Sequence, residues 1–310
     1  MDGIGDALAM LPLALALRDA GCALGAVLSP RNLDLFASDL FERTHLLVPD
    51  ASRLHGSTKE SFERARAEVA RAYDIALILS EEPDAYRLPA LARIPTRIGF
   101  WHGFEKPFKS LWQRWRCTRV VYRPAAWVEQ PHEVRQLFAL GVAAGIVQGT
   151  PPRDVERSRA ALGVDHVQRG DVVVVQATRK LIPPGHDVAW MGRALRALPR
   201  ARLLVHASER ALGEALSRES GHPYDPFGSA QPWLRAIAAA RAIVTPDSGA
   251  AHVAGNVGTP VVDIFPRDHG ERLAAQWHPW IAPHAIVFEP AGDETPEAYG
   301  ARLAEAAARL

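Results

Sequence analysis

The sequence predicts an α/β protein built from two doubly wound halves, and three observations carry that expectation. Helical and strand patterns alternate through the first half, they restart after a Gly/Pro-rich break, and the second half contains an intact strand–turn–helix–strand unit. In the first half, residues 6–20 read as a helix, 23–28 as a strand, and a helix follows Ser29-Pro30. Strands are expected at 44–48, 74–79 and 96–100, with a polar helix over 59–72 between two of them and a closing helix at 131–140. The break falls at 145–153, where Gly149 and Pro151-Pro152 mark a linker. The second half restarts with a valine run at 171–176, the pattern of a buried parallel strand, and continues with a strand at 202–206 and a helix at 232–240. The expected domains are therefore 1–148 and 149–310, with a final helix over 296–309 that packs back on one of them, the first included.

Composition narrows the function classes. In 310 residues, 36 Lys and Arg face 35 Asp and Glu, so bulk attraction to nucleic acid is not expected and any basic function must be regional. Only Cys22 and Cys117 occur, without metal-like spacing, which suits a reducing compartment and supplies no disulfide framework. Residues 7–17 are too short an apolar run to span a bilayer, and no basic region precedes them as in a secretory leader. The expected location is cytoplasmic, with room for peripheral contact with the inner face of a membrane. The remaining histidines, from His45 to His284, show no two-ligand spacing, and no metal site is implied.

The most informative stretch is Ala242-Ile243-Val244-Thr245-Pro246-Asp247-Ser248-Gly249-Ala250-Ala251-His252, followed by Gly258-Thr259-Pro260 and the apolar run to Phe265. A helix starting near Ser248 aims its first free N–H groups beyond the carboxyl end of the preceding strand, where α/β proteins bind ligands. Gly249, Ala250 and Ala251 leave those N–H groups open to an anion, while Asp247 adds a carboxylate and His252 an imidazole. On local pattern alone, Asp247 reads equally well as an ordinary helix N-cap.

These residues resemble the C-terminal signature of glycosyltransferase family 9, the ADP-heptose:lipopolysaccharide heptosyltransferases. Two further segments agree in order. Gly3-Ile4-Gly5-Asp6 with the following Ala-Leu run is similar to the family's glycine-aspartate loop and first helix, and Gln176-Ala177-Thr178-Arg179-Lys180, then Pro183-Pro184 and Trp190, resembles its phosphate-contacting segment. The resemblance implies a GT-B-like arrangement of two Rossmann-like, doubly wound domains facing across a cleft, acceptor on the first and nucleotide-sugar donor on the second. It implies ADP-heptose as co-substrate, inversion at the sugar carbon and no required metal or other cofactor. Asp6 matches the catalytic base, and caps the first helix in the alternative reading. Thr178, Arg179, Lys180, Ser248, Gly249, Ala250 and His252 match the diphosphate site, with simple packing of the helix equally open for His252, and Asp247 matches the donor sugar site. The spacing from Thr178 to the prolines is shorter than the family's, which leaves the division of labour between Arg179 and Lys180 open.

Family members place an apolar strand before the glycine-aspartate loop, whereas Gly3 here follows only Met1 and Asp2. A doubly wound sheet keeps its first strand central, so its two neighbours are expected to lose a hydrogen-bonding partner. The readings left open are a start upstream of Met1, another segment filling the gap, or a compromised first domain. If Met1 is the start, its α-amino group is expected near Asp6.

The segment from Phe100 to Arg123 combines aromatic residues with Lys106, Lys109, Arg114, Arg116, Arg119 and Arg123 against the single acid Glu105. It suits an acidic saccharide or glycolipid acceptor, or the bilayer interface, with Gly5, Trp101, His102, Lys106, Lys109 and Arg119 as acceptor contacts. The alternative is core packing with snorkelling arginines. A protein or small-molecule acceptor, or a non-catalytic role in binding a nucleotide sugar, remains open on sequence. A dinucleotide-binding glycine fingerprint after a strand is missing.

Overall fold

The structure, a computed structural model, describes residues 3–124 and 131–310. The Met1 α-amino group lies outside the described residues. The chain divides into one unit ending at Arg153 and a second running from Asp154 to Leu310, five residues later than the boundary read from the sequence.

The first unit opens with α1 (Ile4–Ala9) and α2 (Leu11–Asp19) rather than one continuous helix. Pro12 sits in the first turn of α2, where its missing N–H costs nothing; inside a single helix it would have cost a hydrogen bond. Strand β1 (Gly25–Leu28) follows, then a 3₁₀ turn at Pro30–Leu35 where an α-helix was expected, and β2 (Arg43–Leu46). The chain continues through α3 (Lys59–Val69), β3 (Ile75–Leu77), α4 (Pro83–Leu91), β4 (Thr96–Trp101), α5 (Pro107–Arg116), β5 (Arg119–Tyr122) and α6 (Glu133–Ala143). All strand pairs are parallel, but they form two groups, β1-β2 and β3-β4-β5.

Among the described residues no strand joins the groups, so β1 and β3 each keep an unpaired edge. This is the loss of partners expected for a doubly wound sheet without its first strand. The groups nevertheless share supports. Leu24, just before β1, and Leu77 and Leu79, at the end of β3, pack on the same cluster of Leu13, Leu17, Phe138 and Val147 from α2, α6 and the turn after it. The hydroxyl of Tyr73, just before β3, lies 2.8 Å from Nε2 of His45 on β2.

The second unit contains α7 (Val155–Ala161), β6 (Val173–Ala177), α8 (Val188–Leu195), β7 (Ala201–His206), α9 (Arg210–Ser220), β8 (Tyr224–Phe227), α10 (Ala230–Ala239), β9 (Ala242–Pro246), α11 (Gly249–Val257), β10 (Val261–Phe265), α12 (Gly270–Trp277), β11 (His284–Phe288) and α13 (Pro296–Arg309). Its strands form one sheet in the order β11-β10-β9-β6-β7-β8. Every residue of β6, β9 and β10 is buried, as their continuous apolar runs require. Pro226 is tolerated because β8 is an edge strand. Val173, Val175, Val244, Val262 and Val287 face α8, α9 and α13, whose Trp190, Leu195, Leu216, Tyr299 and Leu303 complete the core on that side. Alternation along the strands sends Gln176, Thr245 and Asp263 to the opposite face.

The final helix packs on α8 and the sheet of the second unit. Its approach to α8 is close enough that a Cβ on Gly300 would lie 2.2 Å from the Ala194 carbonyl oxygen. Among the described residues no helix is long and apolar enough to cross a membrane.

Candidate functional site

The site residues of the second unit gather at the carboxyl ends of β6 and β9, which are paired neighbours. Ser248, not Asp247, caps α11: its Oγ accepts from the Ala250 N–H at 3.3 Å and lies 3.0 Å from Thr245 Oγ1. The Asp247 carboxylate is thereby left out of the capping role. Gly258, at φ +75°, ends the helix in the left-handed conformation that glycine adopts without strain. Between these ends, every residue from Ala250 to Val257 is buried, and small side chains let the helix lie close to the sheet.

Across the turn, Lys180 reaches from the end of β6 so that its Nζ donates to the Asp247 carbonyl oxygen at 3.3 Å. Arg179 and Lys180 are exposed, while the Thr178 hydroxyl oxygen is buried without a hydrogen-bond partner among the described residues. The ends of the two strands therefore supply two cations, an unspent hydroxyl and a helix N-terminus in one place, a set suited to an anion.

For His252, the structure shows the helix-packing arrangement. Its ring is buried and meets Trp277 edge-on at 5.6 Å between centroids. Burial, reinforced by the neighbouring His278, pushes its pKa down to about 4, so at neutral pH it supplies shape and not positive charge. Sequence reading also passed over Asp263. It is fully buried in β10 opposite Thr245, and neither carboxylate oxygen has a hydrogen-bond partner among the described residues. Burial, with a further contribution from the charge of Asp247, raises its pKa well above the usual carboxylate range and so favours its protonated form. The available signal was a lone acid inside the run Val261-Val262-Asp263-Ile264-Phe265.

In the first unit, Asp6 does what the helix-cap reading requires, since its Oδ2 accepts from the Gly3 N–H at 2.7 Å. It also has what a general base requires. Burial raises its pKa, and the Gly3 N–H and the charge of Arg123 only partly oppose that rise. Gly5 lies beside it in α1, half-buried.

The carboxyl ends of β3, β4 and β5 contribute Glu81, His102 and Arg123. Glu81 is the hub: it pairs with Lys109, lies 3.2 Å from Arg123 Nε and 3.4 Å from His102 Nε2. Burial alone would raise its pKa, but His102, Lys109 and Arg123 outweigh that and hold the carboxylate well below its ordinary range. Arg123 also donates to the buried Glu133 at 2.9 Å, and its backbone carbonyl lies 2.9 Å from His102 Nδ1. Of the expected acceptor contacts, His102 and Lys109 join this network, which reaches Asp6 electrostatically through Arg123. Trp101 adjoins it at the end of β4, where its carbonyl accepts from the Arg123 N–H at 2.9 Å. Lys106 stands at the start of α5. Arg119 is not brought to this end. It opens β5, on the amino side of the strand, and its guanidinium donates to the Ala143 carbonyl at the end of α6.

Residues 233–295 match the model of glycosyltransferase family 9 (heptosyltransferase), a span that contains the Asp247–Thr259 segment. No curated protein sequence matches the chain. Among solved structures, a family 9 glycosyl transferase from Veillonella parvula is 12% identical, with 100% of this chain and 94% of that one covered at a TM-score of 0.70. E. coli ADP-heptose lps heptosyltransferase II is 15% identical, covering 100% and 97% at 0.66. E. coli heptosyltransferase WaaC, solved with ADP-2-deoxy-2-fluoro heptose, is 16% identical, covering 98% and 97% at 0.69. The resemblance to family 9 is thus present as sequence in residues 233–295 and as an α/β, GT-B-type fold over the chain.

Proposed function

We propose that this protein is an inverting glycosyltransferase that moves heptose from ADP-heptose to a lipopolysaccharide-core or related acidic saccharide, in the cytoplasm at the inner face of a membrane. The observation that carries the reading is the anion-binding set at the ends of β6 and β9: Lys180 over the Asp247 carbonyl, Arg179 beside it, the unspent Thr178 hydroxyl and the N-terminus of α11. Preorganised cations and dipoles of this kind stabilise a departing diphosphate without a required metal. WaaC has been solved with ADP and with an ADP-sugar analogue, which supports an ADP-linked donor here.

In this reading Asp6 removes the proton from an acceptor hydroxyl as its oxygen forms a bond to the sugar's anomeric carbon. The bond from that carbon to the diphosphate breaks, and ADP leaves with the electron pair. A carboxylate with a raised pKa is the better proton acceptor. Asp247 is assigned to the donor sugar hydroxyls, which a carboxylate can bind in pairs. The Glu81 network sets His102 and Lys109 for an acidic acceptor. A protein or small-molecule acceptor changes none of these donor assignments.

The test is release of ADP from ADP-heptose with and without a phosphorylated saccharide acceptor. Acceptor-dependent release, lost in Asp6→Asn, is the expected result. The divided sheet of the first unit favours one second reading, a non-catalytic nucleotide-sugar binder. In that case ADP-heptose binds, Asp6→Asn binds it equally well, and no ADP is released by either protein.

A further inference from the structure

Helix α5 is inside out. In an ordinary surface helix the apolar stripe faces the core and polar residues face water. Here the buried positions are Ser110 and Gln113. The Ser110 hydroxyl accepts from the His102 N–H at 3.0 Å, and the Gln113 amide donates to the buried Tyr86 hydroxyl at 3.1 Å, so polar bonds hold the helix to the unit. Trp112 is half-buried with its ring 5.7 Å from that of Tyr86, but the other large apolar side chains point the other way. Phe108 is 89%, Leu111 70% and Trp115 77% exposed, and Phe104, one turn earlier, is 97% exposed. The spacing 108, 111, 115 places three of them along one stripe of the helix, and Phe104 stands on the 3₁₀ turn just before it.

The helix itself contains no acid and carries Arg114 and Arg116, with Lys106 just before it, while Glu105 of the preceding turn accepts from the Tyr122 hydroxyl at 2.6 Å. The Arg116 guanidinium lies over the Trp115 ring at 5.0 Å, which joins the cationic and aromatic parts of the surface.

We infer that α5 and the preceding turn are a docking surface for an anionic lipid bilayer, with Phe104, Phe108, Leu111 and Trp115 entering the interface and the flanking basic residues meeting acidic headgroups. Charge complementarity selects this occupant. An apolar protein groove would satisfy the stripe but make no use of Arg114 and Arg116 on the same helix, whereas a bilayer interface takes aromatic rings and Lys or Arg together. The inference deepens the membrane-face part of the proposed function and rests on that part alone. It needs no transfer chemistry, so failure of either leaves the other to be judged separately.

The experiment is co-sedimentation of the full chain with vesicles of equimolar phosphatidylglycerol and phosphatidylcholine, and with phosphatidylcholine vesicles alone. The wild type is expected to bind the anionic vesicles, less well as salt is raised. The variant Phe108→Ser/Leu111→Ser/Trp115→Ser should weaken binding by about tenfold or more, and Arg114→Glu by a smaller factor that salt suppresses. Because the three positions are exposed, the triple variant should keep the wild-type circular dichroism spectrum and melting temperature. Should it melt early, Leu111→Ser and Trp115→Ser are measured singly. Absence of vesicle binding by folded wild type, or equal binding by the variants, would overturn the inference. So would a concentration-dependent dimer that the triple variant abolishes, which would assign the stripe to a second copy of the chain.

Discussion

In the second unit six parallel strands form one sheet, and β6, β9 and β10 are buried along their whole length. In the first unit five strands fall into groups of two and three, β3 is only half-buried, and Val27 of β1 is 42% exposed. The difference shows in how each unit holds its functional groups. On the continuous sheet, strand ends and backbone place them: Lys180 rests on a carbonyl, and Ser248 caps a helix fixed by β9. On the divided sheet, side chains hold side chains, with Glu81 gathering Lys109, His102 and Arg123 from different elements. A single substitution should therefore subtract one group from the second unit but disorganise several in the first.

The largest expected effect is chemical. Asp6→Asn should lower the transfer rate by about 10²- to 10⁴-fold while leaving ADP-heptose affinity unchanged, as single-turnover kinetics and calorimetry would show. The same residue predicts a pH profile. Transfer should fall as pH drops through a pKa above the ordinary Asp value, since protonated Asp6 cannot act as a base. A profile that follows an unshifted carboxylate would detach Asp6 from the base role.

Next in size, Lys180→Ala should weaken ADP binding roughly 10- to 100-fold, the magnitude of a lost charge-assisted contact, with little change in melting temperature. Equal losses of affinity and stability would blur the contrast drawn between the units. In the first unit, Glu81→Gln should destabilise by about 1–2 kcal/mol in chemical denaturation, because it loosens Lys109, His102 and Arg123 together. Part of that effect is softened by water, since the Glu81 side chain is 33% exposed.

The last effect is read as a slope of stability against pH. Folded Asp263 keeps a proton that the unfolded chain releases above the ordinary value of 3.8. Wild-type stability should therefore decline as pH rises from there toward the raised folded value, by up to about 1.4 kcal/mol per pH unit. Asp263→Asn should remove that slope and match the wild type only at low pH. A parallel pair of stability curves would show that Asp263 ionises inside the fold as freely as outside it.

How much of this was legible in the sequence also differs between the units. β6, β9 and β10 were readable because a strand buried on both faces needs an unbroken apolar run. The β9 turn and α11 were readable because small residues at a strand end mark a ligand-facing helix start, though pattern alone could not decide between Asp247 and Ser248 as the cap. By contrast, α4 carries Pro83 at its start and Pro89 inside it, and β8 reads Tyr-Asp-Pro-Phe, so both hide from propensity. Helix α5 escaped for a different reason: its polar side is the buried one, the reverse of the pattern a sequence reader seeks. Glu81 was invisible as a site residue and Asp263 showed only as a lone acid in an apolar run, because their chemistry comes from neighbours distant in sequence. His102 and Arg123 in one case, and full burial beside Asp247 in the other, appear only after folding.

The central claim is that the ends of β6 and β9 bind a nucleotide-diphosphate sugar, and calorimetric titration of the purified full chain with ADP-heptose tests it most directly, with NAD as comparison. The account predicts saturable binding of ADP-heptose and not of NAD, weakened in Lys180→Ala and preserved in Asp6→Asn. No binding by protein shown to be folded, or binding that Lys180→Ala leaves untouched, would contradict it.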